Sequence, residues 1–128
     1  MKVKDALAKL DEIIDSIVLI EGYFIGDIQS QKCAVVDFDA FCNGTAVDFA
    51  ISIYCPTLVS LLNSDPYRFY VRVVPGGRYS LRGHVSVEGT IARSLDDSTT
   101  LLKDLTSLCF HRRNRDIEVD LNALNECQ

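Results

Sequence analysis

The sequence lacks the residue clusters from which most catalytic and metal sites are built. Only two histidines occur, His84 and His111, and they sit on separate segments. No phosphate-cradling glycine loop, paired-carboxylate signature or zinc-ligand spacing accompanies them. Cys109 and His111 are two residues apart within an expected helix, where side chains at that spacing diverge rather than meet. These absences point away from an enzyme, a metal site or a cofactor. The five cysteines, Cys33, Cys42, Cys55, Cys109 and Cys127, are odd in number, widely spaced and include no C-x-x-C pair. That excludes a secreted disulfide framework and leaves reduced thiols acting as small hydrophobes.

Long apolar runs are missing too. The longest uncharged stretch, residues 49–64, is 16 residues long and contains Pro56, short of the roughly 20 apolar residues that a spanning helix needs. Near the start, Asp5, Asp11, Glu12 and Asp15 interrupt what would be the apolar part of a secretion signal. The expectation is a soluble, cytoplasmic protein without membrane contact. There, Asn43-Gly44-Thr45 matches a glycosylation acceptor only in form.

What is present suffices for one core. With 48% hydrophobic and 24% charged residues in a chain of 128, a single domain over residues 1–128 is expected. The net charge of −5 is segregated. Residues 1–65 hold four basic and ten acidic side chains, whereas residues 66–87 hold Arg68, Arg72, Arg78 and Arg82 and no acid. An acidic whole disfavours non-specific DNA coating but leaves room for a local anion-binding patch.

Along the chain, Val3, Ala6, Leu7, Leu10, Ile13, Ile14 and Ile17 recur at spacings of three and four, predicting an amphipathic helix over residues 1–15. A β-branched run from Ile17 to Ile20 opens the first strand. Asn43-Gly44 is a strong hairpin signal between strands at residues 33–41 and 45–54, and a two-residue loop pairs Phe38 with Phe49 and Val36 with Ile51 on an apolar face. Pro56 and Asp65-Pro66 bracket a short helix. Strands at residues 67–74 and 78–92 follow, and a three-residue loop between them pairs Val73 with Tyr79 and Val71 with Leu81 inward. Ser94 and Asp97 form a capping box for a helix to about Cys109, with Leu101, Leu102, Leu105 and Leu108 buried. Ile117, Val119 and Leu121 alternate as an edge strand.

The fold class is therefore α+β, mainly β, with a β-β-β-α-β-β core over residues 16–93 and a helix and tail over residues 94–128. Together with the phrases Leu19-Ile20-Glu21-Gly22-Tyr23-Phe24 and Arg82-Gly83-His84-Val85-Ser86-Val87-Glu88-Gly89-Thr90, that order resembles a small five-stranded OB-fold barrel. The resemblance implies binding of oligonucleotides or peptides. The whole order is also similar to that of acidic type III secretion chaperones, which implies a homodimer and a protein partner.

Candidate binding residues follow from the expected registers. Arg72 lies opposite Ser80, Tyr70 opposite Arg82 and Arg68 opposite His84, so arginines interleave with an aromatic on one outward face. Such a face can stack bases and neutralise phosphates of a single strand, or take an acidic protein surface. It can equally be a solvated face paired with the chain's own carboxylates. The outward side of the first hairpin offers Asp37, Asp39 and Asp48, with Asp39 facing Asp48. Facing like charges need neutralising, by a hard cation or, more simply, by an internal arginine. This acidic face repels phosphate and suits a protein contact, as in an immunity-type inhibitor. The run His111-Arg112-Arg113-Asn114-Arg115 either complements the dipole of the preceding helix or contacts an acidic partner.

Overall fold

A computed structural model describes residues 1–44, 49–67, 72–74, 80–95 and 99–122, those of 72–74 by their backbone. Helices α1 (Val3–Ala8) and α2 (Leu10–Ile13) carry out the amphipathic pattern. Val3, Ala6 and Leu10 are buried, and Leu7, Ile13 and Ile14 pack beside them. The stripe stops there. Asp15 turns the backbone at φ 65°, strand β1 (Ile17–Asp27) begins, and Ile17 is 64% exposed rather than part of the helical stripe.

β1 pairs antiparallel with β2 (Cys33–Val36) on one edge and with β5 (Ser80–Arg93) on the other. β2 pairs with β3 (Ala50–Ile53), so the expected hairpin exists, but its register is one residue off. Val36 faces Ala50 and Val35 faces Ile51. The strand ends at Val36 because residues 38–42 coil into helix α3 (Phe38–Cys42), which removes the expected Phe38–Phe49 pair. Both rings are about two-fifths exposed, Phe38 at 41% and Phe49 at 42%. The turn lies partly in residues 45–48, outside the described residues.

Helix α4 (Leu58–Leu62) sits where expected and buries Leu58, Val59 and Leu62 completely. Strand β4 (Arg72–Val74) pairs with the start of β5, with Val73 opposite Leu81 and Arg72 opposite Arg82. The expected register placed Val73 opposite Tyr79, so the observed pairing is shifted by two residues.

The expected helix over residues 95–109 is instead a strand, β6 (Thr100–His111). It runs antiparallel to β5, from Arg93 opposite Thr100 to Val85 opposite Phe110. The leucine spacing misleads because the ladder bulges. Glu88 pairs with Ser107 and Thr90 with Lys103, so Asp104, Leu105 and Thr106 all stand against Gly89. Asp104 takes φ 50°. A Cβ on Gly89 would come within 2.7 Å of the Lys103 carbonyl oxygen and 3.0 Å of Leu105 Cδ2, so glycine makes room for the bulge. β7 (Asp116–Glu118) then pairs with the end of β6, as the edge strand expected from the tail.

β3 and β6 pair in parallel through Ser52–Leu101 and Ile53–Leu102. This closes a ring in the order β5, β1, β2, β3, β6 and back to β5. The chain is thus mainly antiparallel sheet with a ring of five strands. The ring's last strand is the segment read as helix, not residues 67–74. Inside it, Phe24 and Phe110 meet edge to face at 5.5 Å, and Ile20, Val35, Ile51, Val87, Leu102 and Leu108 fill the space around them. Each such side chain contributes about 1.5–3 kcal/mol by leaving water. No helix among the described residues is long and apolar enough to cross a membrane.

Candidate functional site

Because residues alternate across a strand, burying Ile20, Phe24, Val85, Val87, Leu108 and Phe110 turns their neighbours outward. Glu21 and Tyr23 of β1 face Ser86 and His84 of β5. Ser86 faces Cys109 of β6, and Cys109 and His111 face Glu118 and Asp116 of β7. Four neighbouring strands therefore present one polar outer face.

Two segments rise over part of that face and make a groove of about 1000 Å³. Its floor is Glu21, Gly22, His84, Val85, Ser86 and His111. One wall is the N-terminal segment with Lys2, Lys4 and Asp5, and the other is α3 and its surroundings, with Phe38, Asp39, Asn43 and Phe49. The N-terminal wall is anchored twice. Lys2 bridges to Glu21 in parallel, with the Glu21 N–H donating to the Met1 carbonyl at 2.8 Å. The Val3 and Lys4 N–H groups donate to the two carboxylate oxygens of Asp37, each at 2.9 Å.

That second anchor revises the acidic-face expectation. Asp37 accepts from the first backbone amides of α1, groups that a helix leaves without internal partners. Asp39 lies on α3 and lines the groove, and Asp48 lies outside the described residues. Asp11 meets Arg93 at 3.2 Å in an exposed ion pair.

Of the candidates for the anion-binding face, Arg68 and Tyr70 lie outside the described residues. Arg72 and Arg82 face each other across β4 and β5, so the expected Arg72–Ser80 and Tyr70–Arg82 rungs do not form. Arg82 donates from Nε to Ser80 Oγ at 3.0 Å and lies over the Phe41 ring, 5.1 Å from its centroid. His84 sits among aromatic rings, 5.1 Å from Tyr23 and 4.9 Å from Phe38. Tyr23 also touches Phe41, with centroids 5.0 Å apart. Tyr23, Phe38, Phe41 and His84 thus form one cluster beside the groove, with Arg82 at its end.

Sequence reasoning missed Tyr23, Phe38 and Phe41 of that cluster, and also a group of residues on β6 and β7. Placed on a strand, Cys109 and His111 share a face instead of diverging. His111 Nε2 is 2.6 Å from Ser86 Oγ, and its Nδ1 is 2.9 Å from Asp116 Oδ1. The Cys109 thiol titrates above its ordinary range, pushed up by burial and then by the Asp116 and Glu118 carboxylates. The available signal was the alternation Leu108-Cys109-Phe110-His111, apolar in and ligand-type out. The basic run that follows occupies the β6–β7 turn, with Arg112 N–H donating to the Arg115 carbonyl at 3.0 Å. No helix dipole is there for it to complement.

The chain Ser86–His111–Asp116 has the order of a nucleophile, base and orienting acid. Its surroundings differ from those of a working triad. Ser86 lies in the middle of β5, whose two edges are taken by β1 and β6, so neighbouring N–H groups point along ladders and not toward a developing oxyanion. Comparison with protein-family models, curated proteins and solved structures finds no match to this chain.

Proposed function

We propose that the protein is a non-catalytic binding module that takes a segment of single-stranded nucleic acid along the groove. The observation that carries this reading is the Tyr23–Phe38–Phe41–His84 cluster with Arg82 over Phe41. Aromatic faces accept bases of any sequence, and a guanidinium over a ring end offers both stacking and phosphate charge. Lys2 and Lys4 on the opposite wall extend the cationic track. The five-strand ring, closed by a parallel pair and with α4 inserted after its third strand, supports an OB-like barrel, a scaffold suited to such ligands.

The test is fluorescence anisotropy with labelled single-stranded DNA and RNA at low and moderate salt. Binding that weakens with salt is expected, with Phe41→Ala reducing affinity on the order of 10-fold to 100-fold through lost stacking and Arg82→Glu at least as much. No binding at low salt, or binding indifferent to both substitutions, sinks the proposal.

A second reading has its own support, because Asp5, Glu21 and Asp39 line the same groove and repel phosphate. On that reading the groove holds a basic protein segment, as an acidic immunity-type inhibitor or secretion chaperone would, and a homodimer becomes the natural assembly. Purification from native lysate separates the two: a stoichiometric protein partner supports this reading, and co-purifying nucleic acid supports the first. The Ser86–His111–Asp116 chain acts here as a positioning network. A fluorophosphonate probe is accordingly expected to leave Ser86 unlabelled, and a covalent adduct on Ser86 would overturn the non-catalytic reading.

A further inference from the structure

The outer side of the β6–β7 ribbon carries two adjacent rungs of ligand-type side chains, Cys109 opposite Glu118 and His111 opposite Asp116. Donor atoms of Cys109, His111 and Asp116 all lie within 4.8 Å of one another. From this juxtaposition we infer that Cys109, His111 and Asp116 form a binding site for one zinc-class divalent cation, with Glu118 or solvent as the fourth ligand. The inference is independent of the nucleic-acid reading, although Ser86 and His111 also border the groove.

Zinc takes sulfur at about 2.3 Å and nitrogen or oxygen at about 2.0–2.2 Å in a tetrahedron. Ligand atoms in such a shell stand roughly 3.3–3.8 Å apart by that geometry, so His111 Nδ1 and Asp116 Oδ1, 2.9 Å apart, need to spread by about 0.5 Å and Cys109 Sγ, within 4.8 Å of the other donors, needs to draw in by at most about 1 Å. His111 and Asp116 are solvent-exposed and Cys109 is only half-buried, so side-chain rotation can supply that movement without displacing the ladder. A thiolate with an imidazole selects zinc or cobalt, because magnesium and calcium prefer oxygen shells.

The histidine is already oriented. Its Nε2 meets Ser86 Oγ at 2.6 Å while its Nδ1 points at Asp116 Oδ1, 2.9 Å away. With Nε2–H donating to Ser86, the Nδ1 lone pair faces the carboxylate, and a cation there takes the place of a shared proton. Ligating histidines are commonly held in this way through their second nitrogen. On binding, the Cys109 thiol proton and any proton on Nδ1 leave to solvent, and no oxidant or reductant is involved.

The test is titration of the full chain with cobalt(II), then displacement by zinc(II), followed by absorption and calorimetry. One equivalent of cobalt with a thiolate-to-cobalt charge-transfer band is expected. Cys109→Ser should abolish the band and His111→Ala should abolish tight binding. Ser86→Ala should weaken binding on the order of 10-fold to 100-fold, as loss of an outer-shell partner does. The double variant Cys42→Ser, Cys127→Ser should bind normally. Asp116→Asn serves as a further test if His111→Ala perturbs the circular dichroism spectrum, and it should also weaken binding. A missing thiolate band, a band that survives Cys109→Ser, or one lost in the Cys42/Cys127 variant would overturn the site.

Discussion

Cys42 is the exposed one among the four described cysteines, and the other three sit in surroundings that oppose ionisation. Burial, with Cys55 adding a little, pushes the Cys33 thiol up to about 12, and burial also raises Cys55. A raised thiol pKa means less thiolate at a given pH, and the thiolate is the reactive form. At pH 8 an alkylating reagent should therefore modify Cys42 first among these four, with Cys33 unreactive until the chain unfolds. Mass-spectrometric mapping over time checks this, and early labelling of Cys33 would contradict its burial.

At the scale of elements, two short features fix where the segments go. The first is the grip of Asp37 on α1. Asp37→Ala frees two amides at once and should lower stability by about 1–2 kcal/mol, the range for losing an N-terminal cap, read as a shift in urea midpoint with unchanged slope. The second is the β6 bulge, where Asp104 holds a left-handed backbone. Asp104→Gly should be tolerated, whereas a β-branched Asp104→Val should cost about 1–3 kcal/mol; thermal melts of the pair compare them directly.

Both features also show why parts of the fold were not legible beforehand. The N-terminal helix, α4, the pairing of β2 with β3, the alternation of β5 and the terminal edge strand follow from local spacing, whereas α3 takes the place of the strand expected up to Phe41. Asp37 read as one of a line of strand carboxylates, because nothing local announces a bond to amides more than thirty residues away. Leu102, Leu105 and Leu108 recur every three residues, which mimics a helical stripe, yet the period comes from a bulge that needs Gly89 on another strand. Misreading that element separated Cys109 from His111 and hid the face they share with Ser86 and Asp116.

For the whole molecule, the strands differ in how firmly they are held. β5 is laddered along both edges and β1 along the whole of one, whereas among the described residues β4 and β7 pair through three residues each at the periphery. Amide exchange follows local opening, so protection should be highest in β5, the facing part of β6 and β1, and lowest in β4 and β7. Hydrogen-exchange mass spectrometry resolves these segments, and uniform protection would contradict the hierarchy.

The parallel meeting of β3 and β6 has a consequence for what happens when the molecule is stressed. A closed circuit of strands shows no bare rim to its neighbours, but this one is fastened across β3 and β6 by two rungs and the Tyr54 N–H donating to Leu102. Unfastening it leaves most internal ladders intact and exposes two fresh rims of unpaired N–H and C=O groups on an otherwise folded chain. Such rims pair readily with their like, and the partner in reach is the matching strand of another copy. The clasp that completes the monomer is thus also the place where one molecule would hand half of itself to the next.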